Sequence, residues 1–580
     1  MKITKITRLA AMVTAVLALS ACHSELDNQP DGKVNTAKQI TFKVNFEDYN
    51  TDEEVQGTRA LAPDTLAKQV IDLDNNLLAE VSIQRDTTKT DRATTRALSN
   101  GTYTMLAYQG ATLKGEVTGT VNNGEFYVTG NPMVLAPGTY DFVLYSGLNR
   151  SGNTFIVDRS NMSNAQISRT TGVVITSQSE THEVVFNLKH LGARMKIKLT
   201  GYMPYPAMAA TLSSVNATSV PNQVAYDAAA DSWTGYTHAA WSENCTFPAT
   251  GTWNVGLTGG SPNIFYDYHY TSLTNDYHYF LPTTDVSKLK LTLNSGKLYR
   301  IDFASHHTPL ALSPDPAVVM KNNGSYIINV KLRPNYLYLM SDGSTDFVNA
   351  TQYTHLKKAD GTPLYRDKQG NVLATPKVPV GMVVSQSRRL AMALKLIKAY
   401  AVWGPGTTVF NYKRYKVYNW APSRAELNAL AGDMDGYKYT WEGAGSSDGV
   451  TIKANDPVHY PAFYKCGHYR DELIANGVNL TGVMLTKNWH FPSAGELQLF
   501  VKNLGFGEPH PTTENIDKWA STAFILGLKE VGAPVMTTTW FGTSTMVIGS
   551  DNTISCILSD GNVYYDTTSL GWISVPFIYY

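Results

Sequence analysis

The sequence predicts a mainly β protein: antiparallel β-sandwich lobes through the first 335 residues, then an α+β domain. Three observations carry this. "KQITFKVNF" alternates strictly, with Ile40, Phe42, Val44 and Phe46 on one face and Thr41, Lys43 and Asn45 on the other, the pattern of a half-buried strand. The same alternation recurs up to about residue 335, punctuated by Gly, Pro, Asn and Asp turns, with few helical periods. Composition then shifts: no tryptophan precedes Trp233, seven of the ten lie from Trp403 onward, and one helix-starting phrase is written twice.

Taken in chain order, residues 1–21 read as a signal peptide. "MKITKITRLAAMVTAVLALSAC" has a basic start (Lys2, Lys5, Arg8) and an apolar run from Leu9 to Leu19, too short for a bilayer core of ~30 Å. Small residues then precede a cysteine. "LSAC" has the form of a lipobox, so Cys22 is the expected lipidation site (palmitate and diacylglycerol) of an outer-membrane lipoprotein at the cell surface. Residues 22–38, polar and without periodicity, read as a tether. No later stretch is apolar enough to span a membrane.

Bulk numbers exclude some partners. The 48 basic and 48 acidic residues balance, and without a long Lys/Arg run a phosphate-tracking surface is not expected, so nucleic acid is a poor partner. Beyond Cys22 there are Cys245, Cys466 and Cys556, in an oxidising compartment. Cys466 and Cys556 share the last domain and are a candidate disulfide; two buried thiols are the alternative, and Cys245 is left over.

Strands are expected in "GTYTMLAYQG", "PGTYDFVLYSG", "HEVVFNLKHLGARMKIKLTG", "DVSKLKLTLNSGKLYRIDF" and "GSYIINVKLRP". One apolar face per sheet demands a second sheet to cover it, hence sandwiches. "LAPGTYDFVLYSG", "FNLKHLGARMKIKLTG" and "GSYIINVKLRPNYLYLMSDG", in this order behind a lipobox, resemble segments of the fimbrillins, the major and minor pilins of Bacteroidales type V pili. The resemblance covers roughly residues 35 to 335 and implies two transthyretin-like lobes, 39–192 and 193–335, parting near Leu191 to Arg194. It also implies assembly by donor-strand addition: an arginine-specific protease removes the first strand, and a strand from another subunit fills the slot. The strand lost would be Gln39 to Phe46, and the candidate processing sites are Arg59 in "GTRALA" and Arg96 in "TTRALS", with Arg59 favoured because it closely follows that strand.

Residues 336–580 are expected to form the last domain, with the Gly/Lys/Asp-rich connector "KKADGTPLYRDKQGN" at 357–371 near its start. "NWAPSRAELNAL" and "NWHFPSAGELQLF" each give Trp, Pro and Ser-x-x-Glu before an apolar run, so Ser423 with Glu426 and Ser493 with Glu496 are expected capping boxes. The second copy resembles the helix-starting phrase of C-type-lectin-like domains, including the major paralogous domain of Fibrobacter-type surface proteins. That implies an adhesive α+β module with "TWFGTSTM" and "VPFIYY" as core strands. The calcium motifs of sugar-binding lectins do not occur in this domain; the single "QPD", at Gln29, lies in the tether. The formylglycine-generating enzymes, which share this fold, use closely spaced cysteines, whereas Cys466 and Cys556 stand ninety positions apart. Trp403, Trp420, Trp489 and Trp540 are expected in the core.

No catalytic constellation survives inspection. "GSSDG" at Gly445 matches G-x-S-x-G but runs from a turn into an expected strand, the wrong context for a nucleophile elbow. The two "DYHY" copies place His269 and His278 on aromatic strands, facing one another across a hairpin; a metal would want a further ligand. "SHHT" at His306 reads as a loop. The expectation is a non-enzyme without cofactor or metal: a pilus (fimbria) subunit whose partners are other pilus subunits, the outer membrane through its lipid, and a glycan or protein ligand. The alternative is a non-polymerising surface glycan-binding lipoprotein. Because Val575, Phe577 and Tyr579 alternate as a strand of the last domain, with no residues left over to donate, a tip position is expected.

Overall fold

Alternating apolar residues become strands wherever one face can be covered, and the computed structural model builds strands from each of these segments. It describes residues 32–50, 65–73, 77–87, 101–177, 182–253, 267–306, 308–348, 365, 371–373, 377–397, 414–415, 421–534, 539–547, 553–559, 561–568 and 575–580. The described chain is mainly β and divides into two units that interleave in sequence: 1–51, 88–191 and 223–236 in one, 52–87, 192–222 and 237–580 in the other.

In the first unit a single sheet closes on itself. Its order is Gln166–Ile175, His182–His190, Ile40–Phe46, Glu125–Val128, Thr112–Asn122, Thr102–Gln109 and Gly138–Ser146, with the last returning to the first. Ile40–Phe46 runs parallel to His182–His190; its other neighbour, Glu125–Val128, is antiparallel. Asn123 and Gly124, both at positive φ, make the tight turn between Thr112–Asn122 and Glu125–Val128, the Asn-Gly chemistry such a hairpin needs. The core holds Phe42, Met105, Phe142, Leu144, Phe186 and Leu188.

The second unit begins with a sandwich whose sheets are 65–73/77–85/325–334/193–201/270–273 and 242–247/208–214/289–295/308–311. Here chain order and spatial order part. The hairpin Thr65–Leu73 and Leu77–Arg85, which lies within the stretch expected for the first lobe, pairs instead with Ser325–Pro334 through Ile83↔Ile328 and Val81↔Val330. Conversely, Gln223 to Tyr236, within the stretch expected for the second lobe, belongs to the first unit, where Gln223 to Asp227 pairs with Thr154–Asp158. Alternation tells a strand which face to bury but not which edge to join.

The last part of this unit packs two six-stranded sheets with helices Arg424–Leu430, Gly436–Trp441, Pro461–Gly467, Tyr469–Ala475, Ala494–Leu504 and Ser521–Glu530. Phe577–Tyr579 lies inside one sheet, between Leu390–Ala393 and Trp489–His490. This part is fused to the sandwich before it. Arg333, 2 % exposed, reaches Glu80 (Nε to Oε1, 2.7 Å) and the buried Glu530. Tyr336 and Tyr338 donate to the carbonyls of Leu504 and Gly527 at 2.7 Å.

Candidate functional site

The strand Ile40–Phe46 is the closing piece of the first unit's sheet. On one edge it is in register with His182–His190 along its whole length, from Ile40↔His182 to Phe46↔Leu188. Its other edge meets Glu125–Val128 only at Lys43↔Glu125, with Val44 N donating to Gly124 O at 2.7 Å. Ile40, Phe42 and Val44 are buried, and the Phe42 ring lies against Phe126, Phe142 and Phe186 at centroid distances of 6.4, 5.6 and 6.2 Å. Lys43 faces out and pairs with Glu183 at 2.6 Å. Just before the strand, Val34–Asn35 pairs with Val134–Leu135, and the Thr36 hydroxyl donates to Met133 O at 3.0 Å. Removing this segment would leave a seven-residue slot with unpaired backbone groups along His182–His190 and a floor of Phe126, Phe142 and Phe186.

Cys22, Arg59 and Arg96 lie outside the described residues, as do Trp403 and Trp420 and the side chain of Trp540. Trp489 is fully buried, in edge contact with Tyr469 at 4.9 Å. Cys466 and Cys556, the candidate disulfide, are not bridged. Cys466 sits on the helix Pro461–Gly467, while Cys556 is mid-strand, opposite Phe541 and Tyr565, where burial pushes its thiol well above the usual range. Both are buried as free thiols.

Both copies of the repeated phrase form capping boxes, with different surroundings. Ser423 N donates to Glu426 at 2.7 Å, and Glu426 N to Ser423 Oγ at 3.3 Å, on a partly exposed turn. The second copy is welded into a buried polar network. Glu496 accepts from Ser493 N (2.8 Å), Tyr579 OH (2.7 Å) and His490 Nε2 (3.1 Å), and Ser493 Oγ also donates to the carbonyl of Asp433 at 2.6 Å. Asp433 accepts from Thr545 (2.6 Å) and Tyr439 (3.0 Å); burial pushes its carboxyl up against the pull of those hydroxyls. A Cβ at Gly436 would stand 2.2 Å from Glu496 Oε2, so glycine is required for this close approach. The network positions a helix and the strand Phe577–Tyr579, and Asp433, Tyr439, His490, Ser493, Glu496 and Thr545 are all buried within it.

The "GSSDG" turn has no elbow geometry: a 3-10 turn Gly443–Gly445 precedes it, and the strand expected after it is a 3-10 turn, Lys453–Asn455. Lys453 staples that loop by donating to Tyr439 O (2.8 Å) and Gly445 O (2.9 Å), and burial lowers its pKa to about 7. His269 and His278 do not face one another. Tyr270–Leu273 and His278–Phe280 lie end to end along Ala193–Gly201, which sends the rings to different neighbours. His269 pairs with Asp267 at 2.9 Å. His278, buried, contacts Cys245 Sγ at 3.4 Å and Glu243 Oε2 at 2.6 Å, an arrangement sequence spacing did not reveal. Burial pulls its pKa down, but those two partners outweigh it and hold it at about 9. His306 lies in a turn against Ser305 and Asp302 O. Among the described residues no group of three His, Cys, Asp or Glu is placed to hold a metal.

No protein-family model and no curated protein matches the chain. Among solved structures, it is similar to a candidate cell adhesion protein from Bacteroides uniformis at 12% identity and a TM-score of 0.29, covering 52% of this chain and 99% of that one. It is also similar to a fimbrial protein from Bacteroides vulgatus (14% identity, TM-score 0.28, 43% of this chain and 96% of that one). A fimbrial protein from Bacteroides ovatus aligns over 94% of this chain and 99% of its own, at 11% identity and a TM-score of 0.20. Scores this low fix neither fold nor function.

Proposed function

We propose that this chain is a cell-surface pilus subunit of the fimbrillin kind, exported as a lipoprotein through Cys22 and made competent for assembly by a cut after Arg59. The observation that carries the proposal is the strand Ile40–Phe46, which closes its sheet through one full edge and a single bridge on the other. A cut after Arg59 would release Val34, Ile40, Phe42 and Val44 from the core, at ~1.5–3 kcal/mol each, or roughly 6–12 kcal/mol that a donated strand must restore. A cut after Arg96 would put the hairpin 65–85 on the released piece too, with Leu73, Leu77, Leu78, Val81 and Ile83 all buried. That adds roughly 8–15 kcal/mol and brings the total above the usual stability of a domain. The hairpin therefore favours Arg59.

The last domain serves as the adhesive part, in a lectin-like role, at the fibre tip. Phe577–Tyr579 is paired on both edges and cannot itself be donated without opening its own sheet. Incubation of purified protein with an arginine-specific protease tests the proposal: one new N-terminus at Ala60 and entry into fibres with other pilins are expected. An uncut chain that never joins fibres would leave a non-polymerising surface receptor. Immunogold label at fibre ends supports the tip; label along the shaft rejects it.

A further inference from the structure

Two neighbouring rungs of the second unit's larger sheet form the floor of a cleft on its outer face. One rung reads Lys198, Asn329, Ser82, Lys68 across four strands; the next reads Thr271, Thr200, Lys331, Glu80, Val70 across five. The core-facing residues between them, such as Ile197, Leu199, Ile328, Val330 and Val81, are buried, so the polar set faces outward by alternation. Together they line a cleft of about 710 Å³.

Its charge is lopsided. Glu80 is engaged by Arg333 at 2.7 Å and His269 by Asp267 at 2.9 Å. Lys68, Lys198 and Lys331 have no carboxylate within ion-pair distance among the described residues; Lys331 only overlies the Tyr202 ring at 6.0 Å. Lys68 and Lys198 stand three strand spacings apart, about 14 Å. Between them Asn329 Nδ2 donates to Ser82 Oγ at 3.4 Å, an amide and a hydroxyl that can also serve a ligand.

We infer that this cleft binds an acidic glycan, with Lys68, Lys198 and Lys331 meeting its carboxylates or sulfates and the Ser, Thr and Asn floor meeting its hydroxyls. The lysines are point charges suited to spaced anions, unlike the planar fork of arginine. A concave cleft does not fit a flat lipid surface, and single-stranded nucleic acid would want a platform of several exposed rings, whereas His269 is the single ring in the cleft lining. The inference goes beyond the adhesive reading of the last domain, because the cleft lies in the sandwich that precedes it.

The test is titration of the full chain with polygalacturonate oligosaccharides, with neutral dextran and an oligothymidylate as comparisons. Polygalacturonate binding that weakens about tenfold or more between about 50 and about 200 mM salt is expected, with no dextran binding. Lys68→Gln, Lys198→Gln and Lys331→Gln combined should lose it by about tenfold or more, whereas the exposed Lys114, Lys465 and Lys487 changed together should keep it. Absence of binding by the folded wild-type chain, equal binding by both triple variants, or tighter binding of oligothymidylate would each overturn the inference. Fibre entry, scored separately, reports on the pilus reading: a chain that polymerises without binding polygalacturonate retains that reading and loses this one.

Discussion

Replacing Phe42 by alanine should cripple the uncut protein and leave the processed one untouched. The ring is 3 % exposed and touches Phe126, Phe142 and Phe186, so its loss removes both transfer energy and a well-packed aromatic cluster. Buried Phe→Ala changes cost ~3–5 kcal/mol. On a unit of this size, a shift of about 2–4 °C per kcal/mol puts the melting transition roughly 10 °C lower. Chemical denaturation of Phe42→Ala and wild type, each before and after cutting behind Arg59, reads the difference directly. Before cutting, the variant should show the full deficit; afterwards the two should coincide, because the altered residue has left with its strand. The variant should also be cut faster wherever opening of the strand precedes cleavage. A deficit below ~1 kcal/mol in the uncut form, or one that persists after cutting, refutes the claim that Ile40–Phe46 is a separable closing strand.

Three further outcomes are expected. Cys22→Ala should move the protein from the membrane fraction to the soluble fraction, and unchanged retention would count against lipid anchoring through that residue. Because His278 is held at about 9, above its unfolded value near 6.5, its partners stabilise the fold fully below pH 6.5 and the gain is lost as pH rises to 9; it amounts to at most about 3 kcal/mol, with Glu243 half-exposed. Denaturation of wild type and His278→Gln at pH 6 and pH 9 should therefore differ more at the lower pH, and an equal gap at both would contradict the assignment. Deleting Val575 to Tyr580 removes four buried apolar residues, Val575, Phe577, Ile578 and Tyr580, at ~1.5–3 kcal/mol each, and should unfold the last domain while the first unit keeps its melting transition.

What could be read in the sequence was whatever is local. Ile40, Phe42 and Val44 alternate, and they are buried as a strand; Ser423 with Glu426 and Ser493 with Glu496 have capping-box spacing, and both boxes form. What could not be read was partnership across long stretches of chain. Nothing in Leu77–Arg85 says that it must pair with Ser325–Pro334, because any alternating strand offers a similar edge. The same holds for Arg333 and Glu530, which meet only after the sandwich and the last domain have joined, and for Cys245, Glu243 and His278, which converge from two sheets. The two "DYHY" copies misled for a related reason: identical words were laid along one strand rather than across a hairpin. Asp433 carries no signal at all in sequence, yet it anchors the second copy of the helix-starting phrase.

Ile40–Phe46 is expected to leave the chain before the subunit joins a fibre, and N-terminal sequencing of this protein recovered from surface fibres reads that step. The expected result is a chain beginning at Ala60, with the hairpin 65–85 still attached. Fibres containing the chain with Ile40–Phe46 still in place would contradict it.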